Sequence, residues 1–217
     1  MDKTAIIGSV AEEVKAKFLE EGSGHDWWHI ERVWRMARRI GKAESADLFV
    51  VELAALLHDI ADWKFHGGDE TVGPRTAAEV MARHGVDDET IGHVCDIIAH
   101  LSFKGAGVPS TMETLEGKVA QDADRLDAIG ALGVARTFTY GGYKGLLMHH
   151  PERPPVLHKT KEEYMQWKGT SFNHFHEKLV LLKDLMNTET ARGIAEGRHA
   201  FMEAYMEQFL AEWAGER

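Results

Sequence analysis

Leu53-Ala54-Ala55-Leu56-Leu57-His58-Asp59-Ile60-Ala61-Asp62 is an apolar run that ends in a histidine and two acids. A helix this apolar is expected to be buried. A carboxylate buried beside an imidazole costs several kcal/mol, or loses its charge, unless something compensates it. A bound cation is the simplest compensation. His58 and Asp59 point about 100° apart around a helix, so from its C-terminal end both can turn toward one ion. Asp62, four residues after His58 and three after Asp59, falls over the same patch of surface. The run therefore reads as half of a metal site with a third polar group beside it, carried on a core helix.

On either side of this run, the spacing of apolar residues predicts helices and little else. Ile7, Val10, Val14 and Phe18 mark a helix over residues 4–20, stopped by Gly22-Ser23-Gly24. A second starts near His25-Asp26 and is expected to stop at Gly41, and a third covers residues 43–60. A short helix over residues 76–84 ends at Gly85, which suits a left-handed cap. Another runs over residues 88–103 with Asp87 or Asp88 as its cap. One long helix is expected over residues 114–140, with Gly130 and Gly133 allowing close approach of a neighbour. The pattern lapses over residues 141–170, which hold His149, His150 and His158 among Lys144, Arg153, Lys159 and Lys161, with at most a short helix over residues 161–167. An irregular, locally basic stretch of this kind suits either a lid over phosphates or a solvated loop. Ser171 is then expected to cap a helix through Leu185, and Thr188 another ending near Trp213. No strand alternation, repeat or linker is evident, so the expectation is an all-α single domain spanning residues 1–217.

Composition narrows the function. The chain has 217 residues and a formal net charge of −10, with no Lys/Arg run, which argues against an extended nucleic acid as partner. One cysteine, Cys95, excludes an intrachain disulfide and fits a reducing compartment. No apolar run reaches membrane-spanning length and residues 1–20 lack a signal-like core, so a cytoplasmic location is expected. The 13 histidines are the anomaly and suggest metal or proton chemistry.

Two further segments could complete the site begun at His58. His25 and His29 share one face of the second helix. Gln121-Asp122-Ala123-Asp124-Arg125-Leu126-Asp127 places three acids beside the core positions Ala123 and Leu126. Together His29, His58, Asp59 and Asp124 would offer two imidazoles and two carboxylates. Donors of this kind without thiolate favour a borderline or hard divalent ion. Asp122 is the rival to Asp124.

The ordered pattern H…HD…D, met here as His29, His58-Asp59 and Asp124, resembles the HD-domain metal-dependent phosphohydrolases. Three stretches, at His25 to Val33, Gln121 to Ala128 and Asn173 to Leu179, resemble more closely a branch of small bacterial HD proteins. The resemblance covers about residues 20–210, with the family core over 20–140 and the helices of 171–213 completing the site. It implies an all-α bundle and one divalent ion held by His29, His58, Asp59 and Asp124. Mn²⁺ is the first choice, with Mg²⁺, Co²⁺, Fe²⁺ or Ni²⁺ as alternatives. It also implies hydrolysis of phosphate esters or anhydrides, and for the close branch the release of pyrophosphate from a nucleoside triphosphate. A nucleotidase or nuclease using the same site, or a nucleotide-binding regulatory module that does not turn over, stays open beside it.

Within that expectation Asp62 is the carboxylate that would position or deprotonate the attacking water. His100, Lys104, His174 and Lys178 are the candidates for balancing phosphate charge, and Lys178 shares a helix face with His174 near its start. His25, Asp26, Arg32, Asp122 and Asp127 are candidates for orienting the ligands from behind.

Overall fold

The computed structural model describes residues 2–20, 26–61, 69–101, 103, 110–158, 160, 163 and 169–217. His25, Asp62, Lys104 and most of the helix expected over residues 161–167 lie outside them. The described residues are helices joined by turns: α1 Lys3–Phe18, α2 Trp27–Glu44, α3 Leu48–Leu57, α4 Val72–Arg83, α5 Asp88–Leu101, α6 Leu115–Asp127, α7 Gly130–Tyr143, α8 Asn173–Glu177, a 3₁₀ helix Leu179–Leu185, and α9 Glu189–Trp213. The protein is all-α. No helix among the described residues is long and apolar enough to cross a membrane.

The helices form two compact units. The first comprises the described residues of Met1–Phe103 and Ser110–Asp124; the second runs from Arg125 to Arg217. In the first, α3 is central and packs against α1, α2 and α5. Leu53, Ala54, Ala55, Leu56 and Leu57 are all without solvent exposure, as the apolar run demands. Leu53, Ala54, Leu56 and Leu57 share one core with Val10 and Val14 from α1, Ile30 from α2, Met81 from α4 and Ile97 from α5. In the second unit α7 packs on α9. There Phe138, Phe175, Tyr205 and Phe209 form a ladder of rings, with Phe172 stacked on Phe209 at 4.6 Å between centroids.

Several helix ends depart from expectation, each for a local reason. Helix α2 does not stop at Gly41 but continues to Glu44, where Ser45 takes a left-handed backbone (φ 61°). Gly41 instead admits a neighbour, since a Cβ there would stand 3.0 Å from Leu48. Helix α3 is correspondingly shorter than 43–60, starting after Asp47, which caps it by accepting from the Phe49 N–H at 2.9 Å. Helix α4 begins at Val72, earlier than the expected residue 76. The single helix expected over 114–140 is two, because Gly130 has φ 77°, incompatible with a right-handed helix, and side chains rarely adopt it. A Cβ at Gly133 would overlap the Ala128 carbonyl, so that glycine serves the chain's own turn. The helix expected from Ser171 through Leu185 is also divided, at Lys178 (φ −141°), and its N-cap position is Phe172 and not Ser171, with the Asn173 N–H donating to the Thr170 hydroxyl just before it. Gly85 (φ 73°), the Asp87 cap and the Thr188 cap stand as expected.

Within 141–170, the described part is fastened to α8 and its approach. Ser171 and Phe172 donate backbone N–H groups to the Leu147 and Met148 carbonyls. The buried Asn173 side chain donates to the Arg153 carbonyl at 2.9 Å, and the buried Glu177 carboxylate accepts from the Val156 N–H at 3.1 Å.

Candidate metal centre

His29 lies in the first turn of α2. Asp26 caps that helix, its carboxylate accepting from the backbone N–H of His29 at 2.8 Å, so it orients His29 through the helix and not through the ring. The result points the His29 ring into the first unit's interior, where it has no exposure. His58 is the C-cap of α3 and is buried as well. Its Nδ1 lies 2.8 Å from the Ala55 carbonyl oxygen, one turn back. A carbonyl can only accept, so Nδ1 carries a hydrogen, and Nε2 is the nitrogen whose lone pair is left for an ion when its own proton is displaced.

That lone pair meets three other donors. The His29 and His58 Nε2 atoms are 3.2 Å apart. An Asp59 carboxylate oxygen lies 3.4 Å from His29 Nε2 and 3.3 Å from His58 Nε2. The Asp124 carboxylate, from α6, stands 3.7 and 3.9 Å from the same two nitrogens. Ligands about 2.1 Å from one ion stand roughly 3.0–3.4 Å apart in octahedral or tetrahedral arrangements. His29, His58 and Asp59 in particular offer ligand atoms all within 4.8 Å of one another.

The electrostatics point the same way. Burial alone would lower the His58 pKa. The Asp59 carboxylate, by charge and by hydrogen bond, and then Asp124 outweigh it and raise the value to about 9. Two imidazole lone pairs and two carboxylates converge on a spot that favours positive charge, and a mixed nitrogen and oxygen set without thiolate fits a divalent ion.

The other residues singled out in the sequence are placed as follows. Asp122 is fully buried on α6. It is Asp124 whose carboxylate reaches both Nε2 atoms. Arg32 is half-buried on α2, one turn beyond His29. His100 turns back on its own helix, with Nδ1 donating to the Asp96 carbonyl at 2.8 Å and lying 3.4 Å from the Asp96 carboxylate. Asp127 belongs to the second unit, where it accepts from Arg136 at 2.8 Å across the break between α6 and α7. His174 lies in the five-residue α8 and Lys178 is its C-cap, donating its backbone N–H to the His174 carbonyl. The two therefore do not sit together on one continuous helix face, and so short a helix offers a weak N-terminal dipole. The element that sequence reasoning missed is the Ala55 carbonyl. A backbone group leaves no signal in residue identity.

Residues 27–129 match the HD domain family. The Bacillus subtilis protein YpgQ, described as uncharacterized, is 41% identical over 206 residues, covering 93% of this chain and 91% of YpgQ. The chain belongs to the HD-domain superfamily. Members of this superfamily are metal-dependent hydrolases, and the converging imidazoles and carboxylates lie within the matched stretch. Among solved structures, a Lactobacillus plantarum protein superposes with a TM-score of 0.86 at 37% identity, covering 96% of this chain and 97% of the other. An HD-superfamily hydrolase from Bacillus thuringiensis gives 0.75 at 42% identity, covering 98% of both chains. YpgQ in complex with ADP gives 0.76 at 35% identity, covering 98% of this chain and 96% of YpgQ.

Proposed function

We propose that this HD-domain hydrolase acts on a small nucleotide, cleaving a nucleoside triphosphate to the monophosphate and pyrophosphate with one divalent ion held by His29, His58, Asp59 and Asp124. The observation that carries the hydrolase reading is the convergence of those four side chains at 3.2 to 3.9 Å within the family's matched region. The nucleotide part is supported by the ADP complex of YpgQ and by the resemblance to the small bacterial HD branch.

A divalent ion, Mn²⁺ first among those considered, would lower the pKa of a water and draw charge from a phosphoryl oxygen. The chain's own residues do the rest. The Ala55 carbonyl fixes the His58 ring so that Nε2 faces the site. Asp26 fixes the start of α2 and with it His29. Asp59 and Asp124 bring the negative charge that holds a cation. Asp62, three residues after Asp59 and four after His58, is the group proposed to take the proton from the attacking water. His100, Lys104, His174 and Lys178 are the groups proposed to balance phosphate charge, and Arg32 and Asp122 to steady the ligands.

The test is chromatographic product analysis after Mn²⁺-loaded protein has acted on ribo- and deoxynucleoside tri-, di- and monophosphates, with Asp59→Ala as control. Monophosphate and pyrophosphate from triphosphates, absent with the variant, is the expected result. Nucleoside and inorganic phosphate would replace this reading with a nucleotidase. Nucleotide binding without any turnover would replace it with a regulatory module.

A further inference from the structure

The turn that carries His58 and Asp59 is a helix end, and a helix end leaves carbonyls to be satisfied. The Ala55 carbonyl takes the His58 ring. The Leu57 carbonyl takes the Ile60 N–H at 3.1 Å. The Ile60 carbonyl takes a group from another helix: the Lys17 ammonium of α1 donates to it at 2.6 Å. The next carbonyl, of Ala61, lies where a Cβ on Gly73 of α4 would stand only 3.2 Å away, so the turn is confined on that side too.

Helix α1 is itself held in register. Ile6, Ile7, Val10, Val14 and Phe18 bury its inner face. Glu13, one turn before Lys17, accepts from Arg83 and bonds the His84 ring at 2.8 Å at the C-terminal end of α4. Thus α1 is tied to the end of one helix through Glu13 and reaches the end of another through Lys17. Glu13 and Lys17 themselves lie before the region matched by the HD family, which begins at residue 27, while the groups they bond, at Ile60, Arg83 and His84, lie within it.

We propose that Lys17 is a positioning residue for the metal centre: its bond to the Ile60 carbonyl fixes the turn from which His58 and Asp59 reach the ion. The inference rests on the reading of His29, His58, Asp59 and Asp124 as ligands. Asp59 lies beyond the last residue of α3, where the helical ladder no longer sets its backbone. A ligand held through a turn is only as well placed as the turn. An ammonium at the C-terminal end of α3 also offsets the partial negative charge there.

The experiment compares metal-free wild type, Lys17→Met, Lys17→Arg and Ile7→Ala by calorimetric titration with Mn²⁺, together with hydrogen exchange at the backbone amides of residues 57–61. Lys17→Met keeps the aliphatic stem and removes the donor. It is expected to weaken Mn²⁺ binding about tenfold at unchanged stoichiometry, the lower end of what supporting groups around metal ligands contribute, and to speed exchange in the turn. Lys17→Arg is expected to restore most of the affinity. Ile7→Ala, which loosens α1 from the core without touching the turn, is expected to lower the melting temperature more than Lys17→Met does while binding Mn²⁺ nearly as wild type. Wild-type affinity in Lys17→Met would overturn the proposal, as would an equal loss in Ile7→Ala, which would trace the effect to α1 docking alone. A wild-type protein that bound no Mn²⁺ would overturn the metal reading and this inference with it.

Discussion

His58 sits between two opposed influences. Burial works against a charged ring, yet the Asp59 and Asp124 carboxylates prevail and hold its pKa near 9. An unfolded histidine titrates near 6.5. The folded-state value is raised, so in the metal-free protein this group's stabilisation is fully present below about pH 6.5 and is lost as pH rises through about 9. Thermal melts in EDTA are expected to show that decline, and His58→Gln to lack it. Because a cation displaces the same proton, Mn²⁺ uptake should release protons over this range, measurable by calorimetry in buffers of different ionisation enthalpy. Asp59→Ala should abolish both metal content, by elemental analysis, and turnover. Asp62→Ala should lower turnover with metal retained, since its proposed role is toward water and not toward the ion. Metal lost from Asp62→Ala would reassign Asp62 as a ligand.

At the scale of elements, the helix boundaries separate what periodicity encodes from what it does not. Thr188 was readable as a cap because its side chain acts on its own helix, accepting from the Ala191 N–H at 3.3 Å. Its replacement by alanine should cost about 1 kcal/mol of stability in urea unfolding. The break between α6 and α7 was hidden, since Leu126, Ile129, Leu132 and Val134 continue a helical stripe straight across it. Gly130 decides the matter with a left-handed backbone, packed against the aliphatic part of Arg198 at 3.0 Å from where a Cβ would be. Gly130→Ala should therefore destabilise the protein by about 1–3 kcal/mol; a neutral substitution would show that this turn relaxes freely. The extension of α2 past Gly41 has the same origin: a glycine that resembles a stop is a place where Leu48 comes close.

For the whole molecule, all four proposed ligands lie in the first unit, so ion binding there should be coupled to its folding. Mn²⁺ at about a hundredfold its dissociation constant should add about 2.7 kcal/mol to stability, seen as a higher melting temperature that Asp59→Ala fails to gain. The all-α class, the burial of Leu53–Leu57 and the candidate donors His29, His58, Asp59 and Asp124 were legible in the chain itself. Helical spacing reports which residues share a face, and an acid or histidine on an apolar face is conspicuous without any coordinates. Residue order alone therefore sets what kinds of helix this protein makes and which side chains could bind an ion. It takes the packed helices to bring the Asp124 carboxylate to both imidazoles, the Ala55 carbonyl to His58 Nδ1, and the Lys17 ammonium to the Ile60 carbonyl behind Asp59. Each of these is a distance between groups on different turns or helices, or a bond to a backbone carbonyl. Such distances are set by how helices pack, and one chain's residue spacing does not encode them.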